Sequence, residues 1–153
     1  MKISMDPLSE LAGPEQFDAL LSREELRRAR TAETMAVAVL DLDGLRDVNA
    51  AHGAAAGTAM LRRCAEALRQ SVRAVDELAR TGPDEFSVLL HATDARSAAA
   101  WAERFEDMLD PATCAVGIAD TTEAPTLMDA VVVARRRMEF VQTMRKLRRA
   151  RPA

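Results

Sequence analysis

The sequence predicts an α+β sandwich of the ferredoxin-like, palm type: a central antiparallel sheet in β-α-β-β-α-β order with flanking helices. Three observations carry this. Short apolar runs of strand length alternate with longer stretches whose apolar residues recur at helical spacing. Two of the strand runs, Asp76–Arg80 and Phe86–His91, flank the turn sequence Gly82-Pro83-Asp84 and read as a hairpin. A chain of 153 residues, 48% of them apolar, supports one full core.

The elements follow in order. Met1–Ser4 reads either as vector-derived or as a native start, with Met5 an equal candidate for the first residue. Residues 6–31 form a helical lead-in: Gly13-Pro14-Glu15 opens a helix, with proline at its first position and an acid in its first turn. Phe17, Leu20, Leu21 and Leu26 line one side of it. Met35–Leu42 is a buried central strand with valines at alternate positions, ending in Asp41, Asp43 and Gly44. Val48–Gly53 reads as a connector. Ala54–Val72 is a helix with Leu61, Cys64, Ala65 and Leu68 inward. After the hairpin, Thr93-Asp94 caps a helix carrying Ala98, Trp101, Phe105 and Leu109, which stops at Asp110-Pro111. Cys114–Ala119 is the fourth strand. Thr126 opens the last helix, with Leu127, Val131, Ala134, Met138 and Val141 inward. The expected organisation is one domain over 1–153, with a core of 35–137 and a basic helical extension of 138–151.

Aromatic residues are only 3% of the chain, so Leu, Val, Ala and Met must fill the core. Cys64 and Cys114 lie in apolar segments without metal-type spacing and read as buried thiols. No apolar run is long enough to span a bilayer and none resembles a signal peptide, so a cytoplasmic location and no membrane partner are expected. The net charge of −3 argues against a nucleic-acid partner. Residues 127–151 nevertheless hold eight Arg/Lys and two acids, a stripe that either meets phosphates or is a solvated helix face.

The chemistry concentrates at two acidic tips. Consecutive carboxylates at Asp84 and Glu85 repel in a tight turn unless a cation meets them. In a palm-type sheet the end of the first strand lies beside the hairpin tip. Asp41 and Asp84 would then converge as hard oxygen ligands for a divalent cation. Capping of the following turn is the alternative role for Asp41 and Asp43.

Four segments resemble the GGDEF domains, the bacterial diguanylate cyclases and their degenerate relatives. Asp6–Leu11 is similar to the family's D-x-L-T-x-L segment, and Asp41–Asn49 to D-x-D-x-F-K-x-x-N. Gly53 and Gly57 keep the spacing of G-H-x-x-G-D, and Arg80–Phe86 matches R-Y-G-G-D-E-F. The resemblance covers Asp6 to about Arg137. It implies that Asp41 and Asp84 bind metal with the Leu42 carbonyl, that Asn49 belongs to the nucleotide site, and that Mg²⁺ is the cofactor wherever GTP binding persists.

The chain departs from the family at functional positions. Pro83 replaces the second glycine, locking φ and removing an N–H. Thr58 stands where the family has an Asp that accepts from guanine. Ala54 replaces a His. Arg135 is the nearest match to the phosphate-contacting Lys of a poorly kept C-terminal segment. These changes predict a vestigial signature (Gly82, Pro83, Asp84, Glu85, Phe86), vestigial Asn49 and Thr58, and no enzymatic activity.

By the same resemblance, Arg73-Ala74-Val75-Asp76 has the offset from Gly82 of the family's inhibitory product site. Arg73, Asp76 and Arg104 are the expected ligands of cyclic di-GMP. Arg73 and Asp76 also read simply as a helix end and a turn. The expected function is a cyclic di-GMP receptor, as a homodimer or with a partner signalling protein. A nucleotide-independent interaction module and a residual GTP-binding or weak dinucleotide-forming domain are the alternatives.

Overall fold

A computed structural model describes residues 5–152; Met1–Ser4 and Ala153 lie outside the described residues. The elements are α1 (Pro14–Thr31), β1 (Ala36–Leu42), α2 (Leu45–His52), α3 (Ala54–Ser71), β2 (Glu77–Arg80), β3 (Glu85–Leu90), α4 (Ala95–Leu109), β4 (Cys114–Asp120) and α5 (Leu127–Arg149). The sheet order is β2-β3-β1-β4, antiparallel at every pairing. This is the expected palm-like arrangement. Each β-α-β crossover passes over the one strand that separates its two ends.

β1 is central because both its faces are apolar. Ala36, Ala38, Leu40 and Leu42 join the core beneath α3 and α4, with Leu68, Trp101 and Phe105. Met35, Val37 and Val39 face the opposite way, into a second core with Phe17 and Leu21 of α1 and Leu127, Ala134 and Met138 of α5. The alternation is the strand period of two, read on both faces. Both cysteines are free and buried, and desolvation pushes the Cys64 thiol up to about 12.

Caps match the sequence signals. Asp94 accepts from the Ser97 N–H at the start of α4, and Thr126 from the Asp129 N–H at the start of α5. Gln16 accepts from the Gly13 N–H at the start of α1. The lead-in is fastened to the sheet edge: the Arg80 guanidinium bonds both Asp6 oxygens, at 3.1 and 3.2 Å, and its N–H meets the Ala12 carbonyl.

Two glycines record close approaches. A Cβ on Gly117 would lie 1.9 Å from the Ala134 carbonyl oxygen, so only glycine lets α5 rest on β4. A Cβ on Gly57 would lie 1.7 Å from Asn49 Oδ1, which seats the Asn49 amide against α3. One expected element changes. Val48–Gly53 is not a connector: Leu45–His52 is helical, led by Gly44 at φ +76° and closed by Gly53 at φ +88°. Eight residues were too few to show a period, and the flanking glycines suggested a loop.

Candidate functional site

β1 and the β2–β3 turn bring the two acids together. Asp41 pairs across the sheet with Glu85, and the Leu42 N–H donates to the Asp84 carbonyl at 2.8 Å. The Asp41 and Asp84 side chains are within hydrogen-bonding reach of each other. Burial raises the Asp41 carboxyl first and the Asp84 charge raises it further, to about 7, against a smaller opposing hydrogen bond from Gln142. Among the described residues, no Arg, Lys or His side chain pairs with Asp41 to offset its burial. That is the electrostatic mark of a site built for an external cation.

The donor set fits Mg²⁺ or Mn²⁺. Two carboxylates and a backbone carbonyl leave the remaining positions to water and phosphate oxygens, as small hard cations require. Among the described residues no group of three or more His, Cys, Asp or Glu side chains forms a complete cage.

The acids open into a cleft of about 310 Å³ that is also lined by Asp43 and Asp47, by the cations Arg46 of α2 and Arg145, Lys146 and Arg149 of α5, and by the neutral amide of Gln142. Positions 142, 145, 146 and 149 lie on one helical face. α2 starts at the cleft floor. Its first intrahelical bond runs from the Val48 N–H to the Gly44 carbonyl, leaving the preceding N–H groups free of helical partners. Acids, cations and a helix start lining one cleft suit a metal-bound polyphosphate.

Of the expected site residues, Asn49 lies against Gly57, with Thr58 half-buried one residue further along α3. The Gly82–Phe86 turn forms with Pro83 in place. The Thr81 and Gly82 N–H groups donate to the Glu85 carbonyl at 2.9 and 3.2 Å, and Arg80 donates to the Pro83 carbonyl at 2.6 Å. Gly82 does not adopt positive φ in this turn.

Arg135 requires a correction. It does not reach the cleft wall; its guanidinium forks onto Glu85, Nε to Oε1 at 2.9 Å and Nη2 to Oε2 at 3.1 Å. Burial works to raise the Glu85 carboxyl, but the Arg135 and Thr81 hydrogen bonds outweigh it and hold it below the ordinary range. Sequence reasoning marked the basic stripe of 127–151 as meeting either phosphates or solvent, and did not single out Arg145, Lys146 and Arg149 within it. The signal was the helical spacing within the basic run, once α5 continues unbroken to Arg149.

The Arg73 corner is built differently. The Asp76 carboxylate accepts from the Arg73 N–H at 2.9 Å, the Arg73 Nε at 3.2 Å and the His91 N–H at 3.0 Å. Its side chain is 1% exposed, against 56% for Arg73, which also donates to the His91 carbonyl and to Thr93. Arg104 is exposed on α4.

The family model described as "Diguanylate cyclase, GGDEF domain" matches residues 3–149. The chain belongs to the GGDEF family. Among curated relatives, it is 37% identical over 99 residues to the bifunctional diguanylate cyclase/cyclic di-GMP phosphodiesterase MucR of Pseudomonas aeruginosa. That alignment covers 65% of this chain and 14% of MucR. It is 38% identical over 92 residues to the diguanylate cyclase DgcP of the same organism, covering 60% of this chain and 14% of that protein. The chain thus spans only a small part of the curated relatives it matches.

Among solved structures, the GGDEF domain of YfiN (TpbB) from P. aeruginosa superposes with a TM-score of 0.87 at 26% identity, covering 92% of this chain and 90% of that one. Diguanylate cyclase SiaD of P. aeruginosa, solved with its activator SiaC, gives 0.85 at 25% identity over 92% of this chain and 58% of that one. The GGDEF domain of DgcB from Caulobacter crescentus, solved with c-di-GMP, gives 0.85 at 21% identity over 94% and 92%, a likeness of fold. GGDEF relatives bind or synthesise cyclic di-GMP.

These findings correct the expectation of a chain without enzymatic activity. The curated relatives are named diguanylate cyclases, which points to an enzyme. The substitution at Pro83, one of the departures behind that expectation, leaves the turn and Asp84 in place. No helix is long and apolar enough to cross a membrane among the described residues.

Proposed function

We propose that this GGDEF domain acts on guanine nucleoside triphosphate as its diguanylate cyclase relatives do, at the Asp41–Asp84 cleft. The observation that carries the reading is the Asp41–Asp84 acid pair in a cleft also lined by Arg46, Lys146 and Arg149. A divalent cation held there supplies Lewis-acid polarisation of the phosphate oxygens. Asp41, Asp84 and the Leu42 carbonyl hold that cation. Arg46, Lys146 and Arg149 offset the phosphate charge, and Asn49 with Thr58 borders the base. The reaction joins a ribose 3′-oxygen of one nucleotide to the α-phosphorus of another and releases pyrophosphate. Closing a ring of two such linkages calls for two copies of the domain face to face.

Incubation with GTP and Mg²⁺ or Mn²⁺, followed by ion-exchange chromatography, tests this. Cyclic di-GMP or the linear dinucleotide is the expected product. GTP recovered unchanged at high protein concentration sinks the reading.

Cyclic di-GMP binding at the Arg73 corner is a second reading, favoured by the half-exposed guanidinium of Arg73 and its fixed orientation. Arg73 would meet the guanine edge, with Arg104 in support. Asp76 would position Arg73, since its own oxygens are already occupied. Calorimetric titration of cyclic di-GMP into wild type and Arg73→Ala decides it; equal heats from both count against it.

A further inference from the structure

The last turns of α5 carry the cations of the cleft wall, yet almost nothing apolar holds them down. The buried residues of α5 end at Met138. Beyond it Phe140, Met144 and Leu147 are exposed. The visible anchor is Arg145. Its Nη1 donates to Asp43 Oδ2 at 2.9 Å and to the Cys114 carbonyl at 2.9 Å. Thr113 Oγ1 donates to the same Asp43 oxygen at 2.7 Å, and the Asp43 N–H donates to the Thr113 carbonyl at 2.9 Å. The end of β1, the start of β4 and the end of α5 meet in this one clamp.

We infer that Arg145 is a positioning residue: through Asp43 and the Cys114 carbonyl it fixes the C-terminal turns of α5 over the cleft, so that Lys146 and Arg149 meet the distal phosphates of the bound nucleotide. Arg145 acts through one nitrogen: Nη1 carries both bonds, and its charge is met by Asp43 rather than left whole for the ligand. The inference rests on the reading of the cleft as a triphosphate site and specifies which end of the ligand α5 reads. A clamp on distal phosphates separates GTP from GMP. It adds affinity for the first and little for the second.

The test uses the full chain with wild type, Arg145→Ala, Arg145→Lys and Asp43→Asn. Calorimetry with Mg²⁺ measures affinity for GTP and GMP, and hydrogen exchange without nucleotide follows residues 142–149. Both Arg145→Ala and Asp43→Asn are expected to speed exchange in that segment about tenfold or more. They are also expected to weaken GTP about five- to tenfold while leaving GMP within about twofold. Arg145→Lys is expected to recover part of each.

Asp43→Asn is the discriminating variant. It removes a negative charge from the cleft and leaves every cation in place, so charge alone predicts tighter GTP binding, whereas loss of the clamp predicts weaker binding. Tighter GTP binding by Asp43→Asn, or unchanged exchange in Arg145→Ala, overturns the inference while leaving the cleft reading standing. A wild type that binds no GTP overturns both.

Discussion

Two acids on this domain have opposite circumstances. Asp76 is buried at the corner after α3 and is met by its own chain on every side: two N–H groups and the Arg73 fork. Asp41, at the end of β1, is met by another acid, and burial with the Asp84 charge pushes it up to about 7. The first carboxylate is spent on structure; the second is left in deficit. The difference teaches where a ligand is wanted. A buried charge that the fold has neutralised holds the fold together, and one that it has not neutralised awaits a partner of opposite sign.

Substitutions should pull these two regions apart. The largest effect belongs to the cleft: Asp41→Ala or Asp84→Ala should lower product formation from GTP by about a thousandfold or more, read by chromatography. Activity surviving in both variants would break the comparison at once. Next is the structural acid. Asp76→Ala strands two buried N–H groups and an arginine, and should cost about 3 kcal/mol in urea unfolding.

A loss below about 1 kcal/mol would show that Asp76 is not the anchor its bonds suggest. The cleft acid should respond with the opposite sign. Between the ordinary aspartate range and about pH 7, folded Asp41 keeps a proton that the unfolded chain has released, so folding loses stability as pH rises through that window. Asp41→Asn removes this loss and should stabilise the protein at pH 8 by about 1–2 kcal/mol after allowance for solvent screening. The gain should fade by pH 4. Mg²⁺ should raise the melting temperature of wild type at pH 8 and leave Asp41→Asn unmoved. The smallest effect is expected from Arg135→Gln, about 1 kcal/mol, because Glu85 keeps Thr81 and partial access to water.

Most of the fold was legible. The valine alternation of β1, the capping residues Asp94 and Thr126, and the turn at Gly82–Asp84 are local signals, and each element appeared where its signal stood. The convergence of Asp41 and Asp84 was legible too, because the strand order alone brings those strand ends together. What the sequence hid depends on register and length. α2 is too short to display a period between Gly44 and Gly53. A helix through the basic run was expected; what was not readable is which of its faces turns to the acids, for α5 carries Gln142, Arg145 and Lys146 to them and leaves Arg135 a turn and more behind, on Glu85. Arg73 and Asp76 were visible as a pair. That Asp76 has no free oxygen was not, because its third partner is the His91 backbone, which no side-chain pattern announces.

The seat of α5 on Gly117 makes the helix a lever with its fulcrum well inside the sheet. From Met138, beside that glycine, to Arg149 the arm is about 16 Å long at the rise of an α-helix. A tilt of about 5° at the fulcrum moves the far end by about 1.4 Å, enough to pull a cation out of register with a phosphate. α1 packs beside α5 on the same face of the sheet, so a displacement of α1 is expected to reach the far end of the helix, and the Arg145–Asp43 bond is what resists it.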